Sequence, residues 1–299
     1  MHEKRKQTGI FGKESLIRYV LMLGALFTVL TTVGIVGILL FETIAFFREV
    51  SLVEFFTDTQ WTPLFTEKHF GILPLISGTL LVTLIAVVIA LPLGLSIAVY
   101  MSEYAPAWFR KRLKPALELL AAVPTVVYGY FALTIVTPFL QQFMPGLSGF
   151  NALSAGIVMG IMIIPFVSSL SEDALQRVPS IYREAAYGMG STRLQTAFRV
   201  TVPAASSAII ASVILAFSRA IGETMIVSIA AGMQPRLTMN PMVPIETITS
   251  YIVQVSSGDV PYGSVEYRTI FAAGITLFLF TLLLNNISWW IKKKFEVKL

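Results

Sequence analysis

The chain alternates long apolar runs with short polar segments, and the runs have the length of membrane helices. Six stand out, at roughly 19–41, 72–100, 116–140, 152–171, 206–231 and 269–291. A hydrocarbon core about 30 Å thick needs about 20 helical residues, so each run suffices for one crossing. The first run holds about 23 residues, whereas a cleavable signal has an apolar stretch of about 7–15, so it reads as a retained span. The pattern predicts an all-α integral membrane protein with six transmembrane helices. Pro92, Pro124 and Pro165 fall inside spans, where neighbouring helices or water satisfy the freed backbone groups.

Charge then gives the chain an orientation. Seventeen of the 22 Lys and Arg lie in four segments: the N-terminus (Lys4, Arg5, Lys6, Lys13, Arg18), 101–115 (Arg110, Lys111, Arg112, Lys114), 172–205 (Arg177, Arg183, Arg193, Arg199) and the tail (Lys292, Lys293, Lys294, Lys298). Cytoplasmic loops carry the Lys/Arg excess, so both termini are predicted to be cytoplasmic. The net charge of +5 is then a topology signal, and nucleic acid is not expected as a partner. The 42–71 segment is external, and its Phe and Trp suit an interfacial amphipathic stretch. The organisation is 1–71 (N-terminal segment, first span, external segment), 72–291 (transmembrane domain, with its main loop at about 171–205) and 292–299 (basic tail).

Composition agrees with a membrane protein: 55% hydrophobic and 13% charged, against about 45–50% and 25% in soluble domains. Without cysteine there is no disulfide or thiol chemistry. His2 and His69 have no second ligand at metal spacing. No Gly-x4-Gly-Lys-Ser/Thr loop occurs, and Gly12-Lys13 is followed by Glu14. No nucleophile–base constellation is visible. No catalytic residue, metal or cofactor is assigned to the chain; if ATP drives it, ATP and Mg are bound by a partner.

Two segments carry chemistry. The first is "SEDALQRVPSIYREAAYGMGSTRLQTAFRVTVPAA", 171–205. Pro179 and Ser180 start a short amphipathic helix with Ser180 as its N-cap, Gly188 and Gly190 suit a turn, and Ser191 caps a second helix. Helix, glycine turn and helix make a compact docking knob. The second is "SVILAFSRAIGETMIVSIAAG", 212–232, which puts Arg219 and Glu223 inside a span. Each central charge costs about 2.5–3.5 kcal/mol on an insertion scale, so the pair needs a reason. Four residues apart on one helix, the two can reach each other. Ser212, Ala216 and Ala230 fall near their face, and Ile210, Ile214, Phe217 and Ile221 on an opposite, lipid-facing side. Two readings stay open: a structural ion pair, or a gate in a translocation path. The fork of an arginine suits an oxyanion. Glu223 would favour phosphate, which keeps a proton to donate, over sulfate, which does not. Ser218 and Thr224 either offer hydroxyls to an anion or bond back to their helix. Glu118 can pair with the basic residues at 110–114.

The first segment resembles the EAA motif of bacterial ABC importer permeases. Glu184-Ala185-Ala186 are followed by Gly190, Val200, Val202 and Pro203 at the family spacing. The resemblance implies a type I importer permease fold and a coupling helix over Glu184, Ala185, Ala186 and Gly190 that seats in an ATPase subunit. "SRAIGETMIV" is similar to the Arg-Ala-aliphatic-Gly-Glu-Thr segment of the phosphate-specific (Pst) permeases, and Glu223-Thr224-Met225 is similar to the PstC type. "GTLLVTLIAVVIALPLGLSIAVYMSEYAP" (78–106) and "LELLAAVPTVVYGY" (117–130) resemble that type as well. The family then implies a phosphate importer in the bacterial cytoplasmic (inner) membrane. Its pathway or gate residues would be Arg219, Glu223 and Thr224. Its partners would be a PstA-like sister permease, two copies of a PstB-like ATPase, an extracytoplasmic phosphate-binding protein and the lipid bilayer. Rival readings are an importer of another oxyanion, an ATP-independent transporter, and a membrane scaffold.

Overall fold

The computed structural model describes residues 10–294; the basic residues at 1–9 and 295–299 lie outside them. The regular structure in that range is helical, joined by loops, with isolated β-bridges at Trp61–Phe70 and Gly232–Ile245. The helices are α1 (Ile10–Phe46), α2 (Leu52–Thr57), α3 (Leu73–Tyr104), α4 (Ala107–Ala122), α5 (Thr125–Gln141), α6 (Ala152–Gln176), α7 (Ser180–Gly188), α8 (Arg193–Ala204), α9 (Ser206–Ile221), α10 (Met225–Ala230), α11 (Ile248–Ser256) and α12 (Val265–Lys294). Four of them are long and apolar enough to cross a membrane, and six crossings result if each of two bent pairs counts as one.

The centre of the fold is the α3–α6 pair. Lipid tails are as apolar as leucine, so membrane helices associate through close packing of small residues. Gly156 of α6 lies against Ile85 and Val82 of α3, Gly160 against Ala86 and Ile89, and Gly94 of α3 against Val167 of α6. A Cβ at Gly156 would lie 2.7 Å from that of Ile85, and one at Gly160 would lie 2.9 Å from the Ala86 carbonyl. Any larger residue would push the helices apart. From residue 15 on, the apolar side chains of α1 are, in contrast, mostly exposed, with Val36 and Leu39 half-buried before the buried Phe46, as lipid-facing side chains are.

Two expected spans are broken. The 116–140 run is two helices, α4 and α5, meeting at 85°. Pro124 forces the break: it disfavours helical geometry at the residue before it, and Val123 is extended, with ψ 130°. Helix α4 begins at Ala107, so much of the expected 101–115 loop is helical, and none of its side chains is buried. The 206–231 run stops being helical at Ile221 and resumes at Met225 as the short α10. At its other end, α8 meets α9 at 73°.

The 42–71 segment is more than an interfacial stretch. It forms an aromatic core in which Phe46, Phe55, Trp61 and Phe70 pack with Tyr251 of α11. Trp61 meets the Tyr251 ring edge-on at 5.0 Å. This cap closes the end of α3 opposite to the α7–α8 knob.

Candidate functional site

The helix break places the membrane charges. Helix α9 ends at Ile221, and Gly222, Glu223 and Thr224 form the turn into α10. Glu223 therefore leaves the helix that carries Arg219, and of the two open readings the structural ion pair does not form. Its carboxylate instead caps α10, with Oε1 accepting the N–H of Met225 at 3.1 Å and of Ile226 at 3.4 Å. Helix N-termini present unpaired N–H groups and a positive dipole end, which stabilise a buried anion there. Glu223 is buried to that degree, at 9% exposure. From α11, the Thr249 hydroxyl donates to the Glu223 carbonyl at 2.7 Å and ties down the turn. No pattern in the sequence marks Thr249.

Arg219 lies elsewhere. Its guanidinium sits 5.9 Å from the ring centroid of Phe166 on α6, and no carboxylate among the described residues pairs with it. It is exposed, on one face of α9 with Ala208, Leu215 and Gly222. The small face is the packed one: Ser212, Ala216 and Ala220 are buried, and Ser212 Oγ lies 2.8 Å from Ser171 Oγ of α6. The expected lipid side is corrected accordingly. Ile221 is buried, while Ile210, Ile214 and Phe217 are half-buried. Thr224 Oγ1 bonds back to the Gly222 carbonyl at 3.2 Å, and Ser218 Oγ reaches Asn285 Oδ1 of α12 at 3.4 Å. The arrangement leaves the Arg219 guanidinium facing outward, with no carboxylate partner among the described residues, beside an exposed glycine and a buried carboxylate bonded to backbone N–H groups. Such a face can take an anion without first breaking an ion pair.

The 171–205 loop folds as the expected helix–turn–helix. Pro179, rather than Ser180, holds the N-cap position of α7, and Ser180 is its first helical residue. Gly190 takes a left-handed φ of +83°, which a residue with a Cβ rarely adopts. Thr192, rather than Ser191, caps α8, and forms a reciprocal capping box with Gln195. Glu184, Ala185 and Gly190 are exposed, while Ala186 turns inward. Ile181, Met189, Leu194 and Phe198 are exposed apolar groups on the same knob.

What holds the knob is Arg183. Its guanidinium donates to Glu103 Oε1 at 3.0 Å, to the Leu175 carbonyl at 2.8 Å and to the Val178 carbonyl at 2.9 Å. One side chain thus joins α7 to the ends of α3 and α6. Nothing in the sequence pointed to Glu103. Lys114 of α4 pairs with Glu172 at 3.0 Å and Asp173 at 2.7 Å on α6. Glu118 is exposed and takes no part in that pairing, contrary to expectation. No group of His, Cys, Asp and Glu among the described residues could hold a metal ion.

Residues 90–297 match the family model described as "Binding-protein-dependent transport system inner membrane component". The chain belongs to that family. Among curated proteins it is 39% identical to the "Probable ABC transporter permease protein YqgH" of Bacillus subtilis, over 80% of this chain and 78% of that one. It is 35% identical to the "Phosphate transport system permease protein PstC" of Mesorhizobium japonicum, over 78% and 76% of the two chains. With PstC of Haemophilus influenzae the identity is 30%, over 88% and 89%. Among solved structures, a bacterial ABC transporter involved in alginate import superposes with a TM-score of 0.64 at 16% identity, over 95% of this chain and 98% of that one. The MetNI methionine ABC transporter gives 0.59 at 14% identity, over 75% and 95%. The fold is thus that of an ABC importer permease, and this family member is a multi-pass membrane protein.

Proposed function

We propose that this chain is the PstC-type permease subunit of an ATP-driven importer of inorganic phosphate in the bacterial cytoplasmic membrane. The observation that carries the reading is the likeness to PstC permeases over most of both chains, at 30–35% identity. The chain forms half of a translocation pathway. A PstA-like sister permease supplies the other half, two PstB-like ATPases bind ATP and Mg, and an extracytoplasmic binding protein delivers phosphate. The chain itself binds no cofactor and does no bond chemistry.

The geometry supports the following residue roles. The exposed face of α9 is where a sister subunit would complete the path, with Arg219 supplying the oxyanion-binding fork. Glu223 and Thr224 hold the break that lets α9 and α10 move relative to one another. Glu184, Ala185, Ala186 and Gly190 form the surface seated in the ATPase. Arg183 then transmits motion of that surface to α3 and α6, and alternating access follows from rocking of these helices. The test is uptake of labelled phosphate at low external concentration, with sulfate as control, in cells with and without this chain. Loss of phosphate uptake alone supports the reading. Phosphate uptake unchanged in a strain with no second phosphate carrier refutes it.

A further inference from the structure

On the capped end of the molecule, away from the knob, lies a pocket of about 250 Å³. Its floor is Glu246, Trp61 and Tyr251, each 1% exposed, and its rim is the exposed Leu64, Phe65 and Gln254. Among the described residues the Glu246 side chain finds no hydrogen-bond or ion-pair partner, and its Oε1 is wholly buried. The backbone fixes it there: the Ile245 N–H bonds the Ala231 carbonyl at 3.0 Å, and Ile245 bridges Gly232. Burying an ionisable carboxyl with nothing to bond costs free energy that a leucine would avoid. Such a group at the bottom of a mainly apolar pocket, whose other polar side chains are Thr62, Gln234, Tyr251 and Gln254, is recognition chemistry waiting for its counter-group.

We propose that this pocket receives a lysine side chain of the extracytoplasmic binding protein, with the ammonium meeting Glu246. This rests on the reading of the chain as a binding-protein-dependent permease and adds to it the partner's contact site. The occupant follows from the lining. A lysine has a long aliphatic stem that packs along apolar walls and a compact head that one carboxylate satisfies. An arginine would bring five N–H donors to a floor with one carboxylate and leave several buried without acceptors. A buried anchor inside an apolar rim is also the usual make-up of an interface hot spot. The unpaired carboxyl is held protonated by its burial, up to a pKa of about 8. Tyr251, pushed further up by its own burial, is the titratable group beside it in the pocket.

The experiment uses the complete transporter in lipid nanodiscs together with its binding protein. A carbodiimide joins carboxyls to lysine amines in contact, and mass spectrometry locates the junction. The account expects a Glu246–lysine crosslink to the binding protein. In Glu246→Gln it expects at least a tenfold rise in the binding-protein concentration that half-maximally stimulates ATP hydrolysis. Absence of that crosslink in the parent complex overturns the proposal, whatever Glu246→Gln does, and so does a shift below twofold in a folded variant. The phosphate reading is scored separately. If the parent complex is not stimulated by phosphate-loaded binding protein, that reading fails, while the crosslink still decides the pocket's occupant.

Discussion

Glu223 accepts the backbone N–H of Met225 at 3.1 Å and leaves Arg219, four residues earlier, without an acidic partner among the described residues. The two membrane charges therefore do different work, and substitutions separate them. Glu223→Ala removes the cap of α10 and should cost about 0.5–2 kcal/mol. Glu223→Gln keeps an acceptor oxygen and should cost less. Arg219→Ala should leave the melting temperature of the purified complex within a degree or two while abolishing transport. Equal destabilisation by Arg219→Ala and Glu223→Ala would instead indicate an ion pair.

The knob is attached through Arg183. Arg183→Ala strands Glu103, whose side chain is only 4% exposed, and frees two carbonyls. Breaking one side of a buried pair costs about 3–5 kcal/mol, and Arg183's partial exposure puts this site at the lower end. The measurement is the ratio of phosphate transported to ATP hydrolysed in proteoliposomes. That ratio should fall severalfold, and Arg183→Lys should not restore it, since an ammonium cannot reach all three acceptors in a fork.

Packing of α3 on α6 gives a third outcome. At Gly156 a Cβ would stand 2.7 Å from the Ile85 Cβ. Gly156→Val should destabilise the protein by about 1–3 kcal/mol, the usual cost of overfilling a packed interface. Adding Ile85→Ala should recover part of it. Thermal unfolding of the single and double variants checks both.

The buried Glu246 makes stability depend on pH. Its pKa is raised from 4.5 to about 8 by burial, so between these values the native state keeps a proton that the unfolded chain releases. Stability from this group is full below about 4.5 and is lost as pH rises towards 8. Glu246→Gln cannot ionise. Its melting temperature should match the parent's near pH 5 and exceed it increasingly towards pH 8. Scanning both proteins over that range is the check, and a gap that shrinks with pH contradicts the assignment.

The sequence reports apolar length well and helix continuity poorly. Runs such as 72–100, 152–171 and 269–291 fall on single long helices, which absorb Pro92 and Pro165 without breaking. The breaks at Pro124 and at Gly222-Glu223-Thr224 lie inside equally apolar runs, so hydropathy passes over them. Pro124 was visible as a kink, but a proline alone does not fix the 85° at which α4 meets α5. Arg219 and Glu223 stood out because charge is costly in lipid. Their separation was not legible, since an i,i+4 spacing implies contact only on an unbroken helix. Glu103 and Thr249 matter through partners 80 and 26 residues away, and one chain carries no local sign of such pairings.

The central claim is that the unpaired Arg219 guanidinium serves phosphate translocation. The most direct measurement is ATP-dependent uptake of labelled phosphate, against sulfate, by proteoliposomes holding the complete transporter with either the parent chain or Arg219→Ala. Binding protein is supplied outside and thermal stability is checked in parallel. The account predicts phosphate uptake without sulfate uptake in the parent, and loss of that uptake in a variant that melts like the parent. Phosphate uptake by Arg219→Ala at the parental rate would contradict it.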